Sequence, residues 1–173
     1  MKIIINESQL RLIVENEGED DNLIDFTPFY KSGIPPVEWD EMYEHMNTKK
    51  KKGGKYDGYY INGDVYLPSS DITELNYLVK VGGLLVLDNS QIRLLPKLSY
   101  VGGRLDLYYS QIRLLPKLSY VKGWLDLRRS SIKTLPMLSY VGGDLSISNT
   151  PLSKTTTEKE LREQINVGGY ISL

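Results

Sequence analysis

The chain contains no cysteine and a single histidine, His45. Disulfides, thiolate metal sites and a thiol nucleophile are therefore excluded, and no second imidazole exists for a metal centre or a catalytic triad. Net charge is −1 over 173 residues, so the surface as a whole is not built to hold a polyanion. No run reaches the ~18–20 apolar residues that would cross a bilayer. The opening MKIIINESQL turns polar after its isoleucines, too soon for a secretory signal core. Missing, then, are a catalytic, metal or cofactor constellation, a membrane partner and an export signal. The expectation is a soluble domain that is not an enzyme.

What the chain has in abundance is repetition. Residues 81–140 read VGGLLVLDNSQIRLLPKLSY, VGGRLDLYYSQIRLLPKLSY and VKGWLDLRRSSIKTLPMLSY, three blocks of 20 residues. A period this short means stacked rungs, each covering its neighbour's apolar edge. Leu105, Leu107, Ile112, Leu115, Leu118 and Val121 form the apolar set of one rung, and the Leu105-x-Leu107 alternation predicts a short strand. Pro96, Pro116 and Pro136 forbid helix on the return path, which is expected to be extended or turned. Gly63, Gly83, Gly103, Gly123, Gly143 and Gly169 share one register. Either a positive φ or a backbone too crowded for a Cβ explains such a column.

The ends depart from the repeat, and four segments result. Residues 1–22 read as a strand, a short helix and an acidic linker, ENEGEDD. Residues 23–60 form an N-terminal helical cap, because Trp39, Met42, Tyr43 and Met46 recur at helical spacing after Pro35 and Pro36. Residues 61–152 are the repeats. Residues 153–173 are a capping helix, with Leu161 and Ile165 on one face, followed by a last strand, VGGYISL.

The strand register LxLxx(S/T)xI, with Ser70, Ser90, Ser110, Ser130 and Thr150 in one column, resembles the leucine-rich repeat. The 20-residue length and LP step are similar to the short-repeat class of bacterial effectors. The VGGxLxL signature resembles repeat proteins of tailed bacteriophages more closely. That resemblance implies a leucine-rich-repeat solenoid, an α/β repeat with short parallel strands and irregular return segments, with helical N- and C-terminal caps. It implies binding and supplies no catalytic residue or cofactor. It also places the chain in the host-cell cytoplasm or in a virion. Hydroxyl residues where the family usually carries asparagine weaken the transfer of its asparagine ladder.

Positions between the inward leucines face outward, and there the otherwise constant rungs differ: LLVLDN, RLDLYY, WLDLRR. Arg104, Asp106, Tyr108, Tyr109, Trp124, Asp126, Arg128 and Arg129 have the composition of a contact hot spot and are the expected site for a protein or peptide partner. Asp106 and Asp126 are neighbours in one row, so Arg104 and Arg128 are expected to neutralise them. Two other readings compete. Ile13-Val14-Glu15 resembles the site cut by phage prohead proteases, which implies a virion-associated protein with an N-terminal targeting segment. Nucleic acid ranks third, through Lys49, Lys50, Lys51, Lys52 and Lys55 and a ladder of Tyr100, Tyr120 and Tyr140 beside Arg93, Arg113 and Lys133.

Overall fold

The computed structural model of the chain describes residues 22–31, 33–47 and 56–173. The expected N-terminal strand, helix and linker before Asn22, and Lys49–Lys52 with Lys55, lie outside the described residues.

Each full rung carries two short strands, not the single one its leucines suggest. The first rung holds β2 (Gly58–Ile61) and β3 (Val65–Tyr66), after β1 (Leu23–Asp25) from the cap. Then come β4 (Leu78–Val81) with β5 (Leu85–Val86), β6 (Tyr100–Val101) with β7 (Leu105–Asp106), and β8 (Tyr120–Val121) with β9 (Leu125–Asp126). The stack closes with β10 (Tyr140–Val141) and β11 (Leu145–Ser146), then β12 (Asn166–Val167) and β13 (Ile171–Ser172). One sheet runs β1-β2-β4-β6-β8-β10-β12 and the other β13-β11-β9-β7-β5-β3, every pairing being parallel. Bridges between Glu74 and Leu94 and between Leu114 and Thr134 mark a third, barely paired side. The protein is a parallel β-solenoid with helix confined to its ends.

In the central rungs the extra strand falls on the Tyr-Val pair that ends the return path. The proline lies upstream of it, so no ladder donor is lost, and an aromatic next to a β-branched residue suits a pleated surface. Inside the rungs, Leu105, Leu107, Ile112, Leu115, Leu118 and Val121 are fully buried, as are Leu125, Leu127 and Ile132 one rung on.

Crowding explains the glycine column in the central rungs. A Cβ on Gly123 would lie 2.8 Å from the carbonyl carbon of Gly103 in the rung beneath. The left-handed backbone occurs elsewhere, six residues further along each rung. Ser69, Asn89, Tyr109, Arg129 and Asn149 take φ between 52° and 60°. The hydroxyl column forms no ladder between rungs: Ser90 Oγ donates to Leu87 O at 2.6 Å and Thr150 Oγ1 to Ile147 O at 2.7 Å, closing turns within their own rungs.

Helices cover the two ends. After α1 (Thr27–Lys31) and a 3-10 turn at Pro36–Glu38, α2 (Trp39–Asn47) buries Trp39, Met42, Tyr43 and Met46 against the first rung. Asp40 fastens it, accepting from Tyr59 Oη at 3.0 Å and from Asn76 N at 2.7 Å. His45 is exposed. At the other end α3 (Glu158–Gln164) starts on a capping box. Thr157 Oγ1 accepts from Glu160 N at 3.3 Å while Glu160 Oε2 accepts from Thr157 N at 2.8 Å. Leu161 and Ile165 bury the expected face.

Candidate functional site

The outer face of the β3–β13 sheet brings six of the eight expected site residues into one cluster. β7 and β9 pair so that Asp106 stands directly opposite Asp126. Both carboxylates are buried although they point away from the leucine core. The cover comes from the residues on either side of them in the two rungs.

Each aspartate is neutralised within its own rung. Arg104 Nη2 lies 3.1 Å from Asp106 Oδ2. Arg128 grips Asp126 through Nε to Oδ1 at 2.9 Å and Nη2 to Oδ2 at 2.5 Å. The backbone contributes as well: Tyr108 N donates to Asp106 Oδ1 and Arg128 N to Asp126 Oδ1, both at 3.0 Å. The aromatic residues then link the rungs. Trp124 lies under the Arg104 guanidinium, with Cζ 4.5 Å from the ring centroid, and Tyr108 lies under that of Arg128 at 5.4 Å. Each guanidinium is thus paired with a carboxylate in its own rung and stacked on an aromatic ring from the neighbouring one.

The electrostatics of the pair are uneven. Burial pushes the Asp106 carboxyl above the ordinary aspartate value, and the charge of Asp126 adds to this, while the Tyr108 N–H and Arg104 oppose it. The Arg104 Nε is buried without a hydrogen-bond partner. Asp126, with its two-point arginine contact, is the better satisfied carboxylate. No group of three or more histidine, cysteine, aspartate or glutamate side chains is placed to hold a metal among the described residues.

Tyr109 and Arg129 follow this cluster in sequence at the turn after the strands, the Tyr109 ring 6.2 Å from that of Tyr108, and both are exposed. Theirs is the left-handed position that Asn89 and Asn149 fill in the flanking rungs. Asparagine tolerates that backbone; tyrosine and arginine are strained by it. Sequence reasoning marked both residues as variable and missed the strain, although the asparagines in the same register were its signal.

A second missed feature is the outermost row. Asp64 Oδ1 accepts from Leu84 N and Asp144 Oδ1 from Tyr170 N, each at 2.8 Å. These aspartates satisfy a donor of the following rung, a need that the alternation of inward and outward positions does not reveal.

The tyrosine ladder is real. Tyr100 and Tyr120 stack at 5.1 Å and 3°, Tyr120 and Tyr140 at 4.7 Å and 11°, with Lys80 Nζ 5.3 Å from the Tyr100 centroid. Both faces of Tyr120 are consequently covered by its neighbours. Arg93, Arg113 and Lys133 lie on the third side of the solenoid, each exposed.

No known protein family matches the chain, and neither a curated protein nor a solved structure is similar enough to it to count as a match.

Proposed function

We propose that this solenoid is a non-catalytic binding module of the leucine-rich-repeat type, engaging a protein or peptide through the outer face of its β3–β13 sheet at the central rungs. One observation carries the reading. Tyr109 and Arg129 occupy a left-handed backbone position for which the flanking rungs supply asparagine. Strain of that kind persists where a side chain is needed for something other than the fold. Both residues adjoin the aromatic and guanidinium cluster, whose Trp124 remains 41% exposed.

The cluster suits recognition physically. Its side chains are held in place before any partner arrives, so little rotamer freedom is lost on contact. The sheet face alone is small, since strands about 4.8 Å apart give six of them a width of roughly 25 Å. A partner therefore has to reach the turn at Tyr109 and Arg129, or be an extended peptide. The 20-residue period and the LxLxx(S/T)xI register support the leucine-rich-repeat assignment; the second strand in each rung is unlike what that resemblance implies.

Neither alternative gains support from the described residues. The virion reading rests on Ile13-Val14-Glu15, outside them. Single-stranded nucleic acid needs open aromatic faces, and the faces inside the tyrosine ladder are covered. The test is cross-linked capture from the native source with wild type, Trp124→Ala and Arg129→Ala. A partner recovered by wild type and lost from both variants supports the proposal; equal recovery by all three removes it.

A further inference from the structure

We propose that the third side of the solenoid, between the proline turns and the hydroxyl column, rests on an anionic lipid surface. This side is distinct from the face assigned to a protein partner, so the two proposals fail independently.

In the three central rungs its charge is of one sign, whereas the first rung carries the exposed Asp71 and Glu74, with Glu74 bridged to Leu94. From residue 91 to 103, 111 to 123 and 131 to 143 the sequence has no aspartate or glutamate. Arg93, Arg113, Lys117 and Lys133 are exposed on this side or at the turn that closes it. None of the four has a carboxylate within ion-pair distance among the described residues. Arg93 is held sideways, its Nε donating to Gln111 Oε1 at 2.9 Å. The rungs stack at about 4.8 Å, so like charges accumulate along one flat side. In a chain of net charge −1 this is a marked local asymmetry.

Among these cations stand apolar side chains that the fold does not bury. Leu94 is 50% exposed, Leu114 42% and Met137 59%. Leu94 and Leu114 occupy one row, each next in sequence to an arginine. Protruding aliphatic tips beside a row of cations suit an anionic bilayer interface. The headgroups neutralise the guanidinium and ammonium groups, the tips enter the acyl boundary, and the long basic stems span the two zones. A nucleic acid or an acidic polypeptide satisfies the charges and leaves the aliphatic tips without a role. No helix among the described residues is long and apolar enough to cross a membrane, so the contact is peripheral.

The experiment is co-sedimentation of the full chain with phosphatidylcholine vesicles, with and without about 30 mol% phosphatidylserine, at about 0.1 and 0.5 M salt. Wild type is expected to bind the anionic vesicles at least about fivefold better than the neutral ones, and to release them at high salt. Leu94→Ser/Leu114→Ser, which keeps every charge, and Arg113→Gln/Lys133→Gln, which keeps the leucines, should each lose most of that binding. Equal or absent sedimentation with both vesicles overturns the proposal. So does a leucine double variant that binds like wild type, or one that matches wild type on oligothymidylate or polyglutamate while neither binds vesicles.

Discussion

The Arg104 guanidinium lies over the ring of Trp124 from the next rung, 4.5 Å from its centroid, while pairing at 3.1 Å with Asp106 in its own rung. This contact ties two rungs together on the outside of the solenoid, where the leucine core cannot. Removing the indole should cost about 1 kcal/mol through the lost stack and let water reach Asp106. Urea denaturation of Trp124→Ala checks the first effect.

The raised carboxyl of Asp106 gives a pH signature. Burial, the largest cause, makes the folded protein hold this proton more tightly than the unfolded chain does, whose aspartates titrate near 3.8. Native Asp106 therefore binds more protons between that value and its own raised one. Its contribution to stability falls as pH rises through this window and recovers as pH drops. Asp40 shares the sign, again chiefly through burial. Glu160 has the opposite sign, its carboxyl being held low first by the Thr157 N–H, so its contribution is lost on acidification. The stability difference between wild type and Asp106→Asn should shift in favour of wild type between about pH 7 and pH 4. Parallel urea titrations at the two pH values read that difference directly.

Crowding between rungs makes the central glycines sensitive. Gly123→Ala sets its Cβ 2.8 Å from the Gly103 carbonyl carbon and 2.9 Å from Arg104 N, both backbone atoms. The expected loss is about 1–3 kcal/mol. Lys122→Ala, one residue earlier and exposed, should stay within about 0.5 kcal/mol of wild type. Thermal melts of the two variants side by side separate crowding from a general intolerance of this turn.

Asp144→Ala should loosen the last rung. It removes the acceptor for Tyr170 N and leaves that amide without its 2.8 Å partner, a loss of about 1 kcal/mol. Amide exchange should accelerate at Tyr170 and along β13 while Leu105 and Leu125 keep their protection.

Much of the solenoid could be read from its leucines. A 20-residue period with Leu105, Leu107 and Ile112 in fixed register requires stacked rungs, and spacing alone identified the faces of α2 and α3 that are buried. The second strand was hidden because Tyr-Val is too short to show alternation; it is defined by its pairing across rungs, Tyr100 opposite Tyr120. The glycine column left two explanations open because sequence carries no distances. That Arg104 and Arg128 neutralise Asp106 and Asp126 was legible, since two carboxylates in one row need cations nearby; which arginine takes which carboxylate was not. Their depth of burial was not, because it depends on where Trp124 and Tyr108 lay their rings. The strain at Tyr109 and Arg129 could have been found by comparing registers, with Asn89 and Asn149 as the reference.

The most direct test of the central claim, that the mismatched central rungs are a recognition face, is the double variant Tyr109→Asn/Arg129→Asn measured for stability and partner capture together. Relief of the left-handed strain should stabilise the fold by up to about 1 kcal/mol at each site. The same variant should lose the partner that wild type captures from its native source. A more stable protein that no longer recovers it is the predicted result; a variant that recovers the partner undiminished, or is less stable than wild type, contradicts the account.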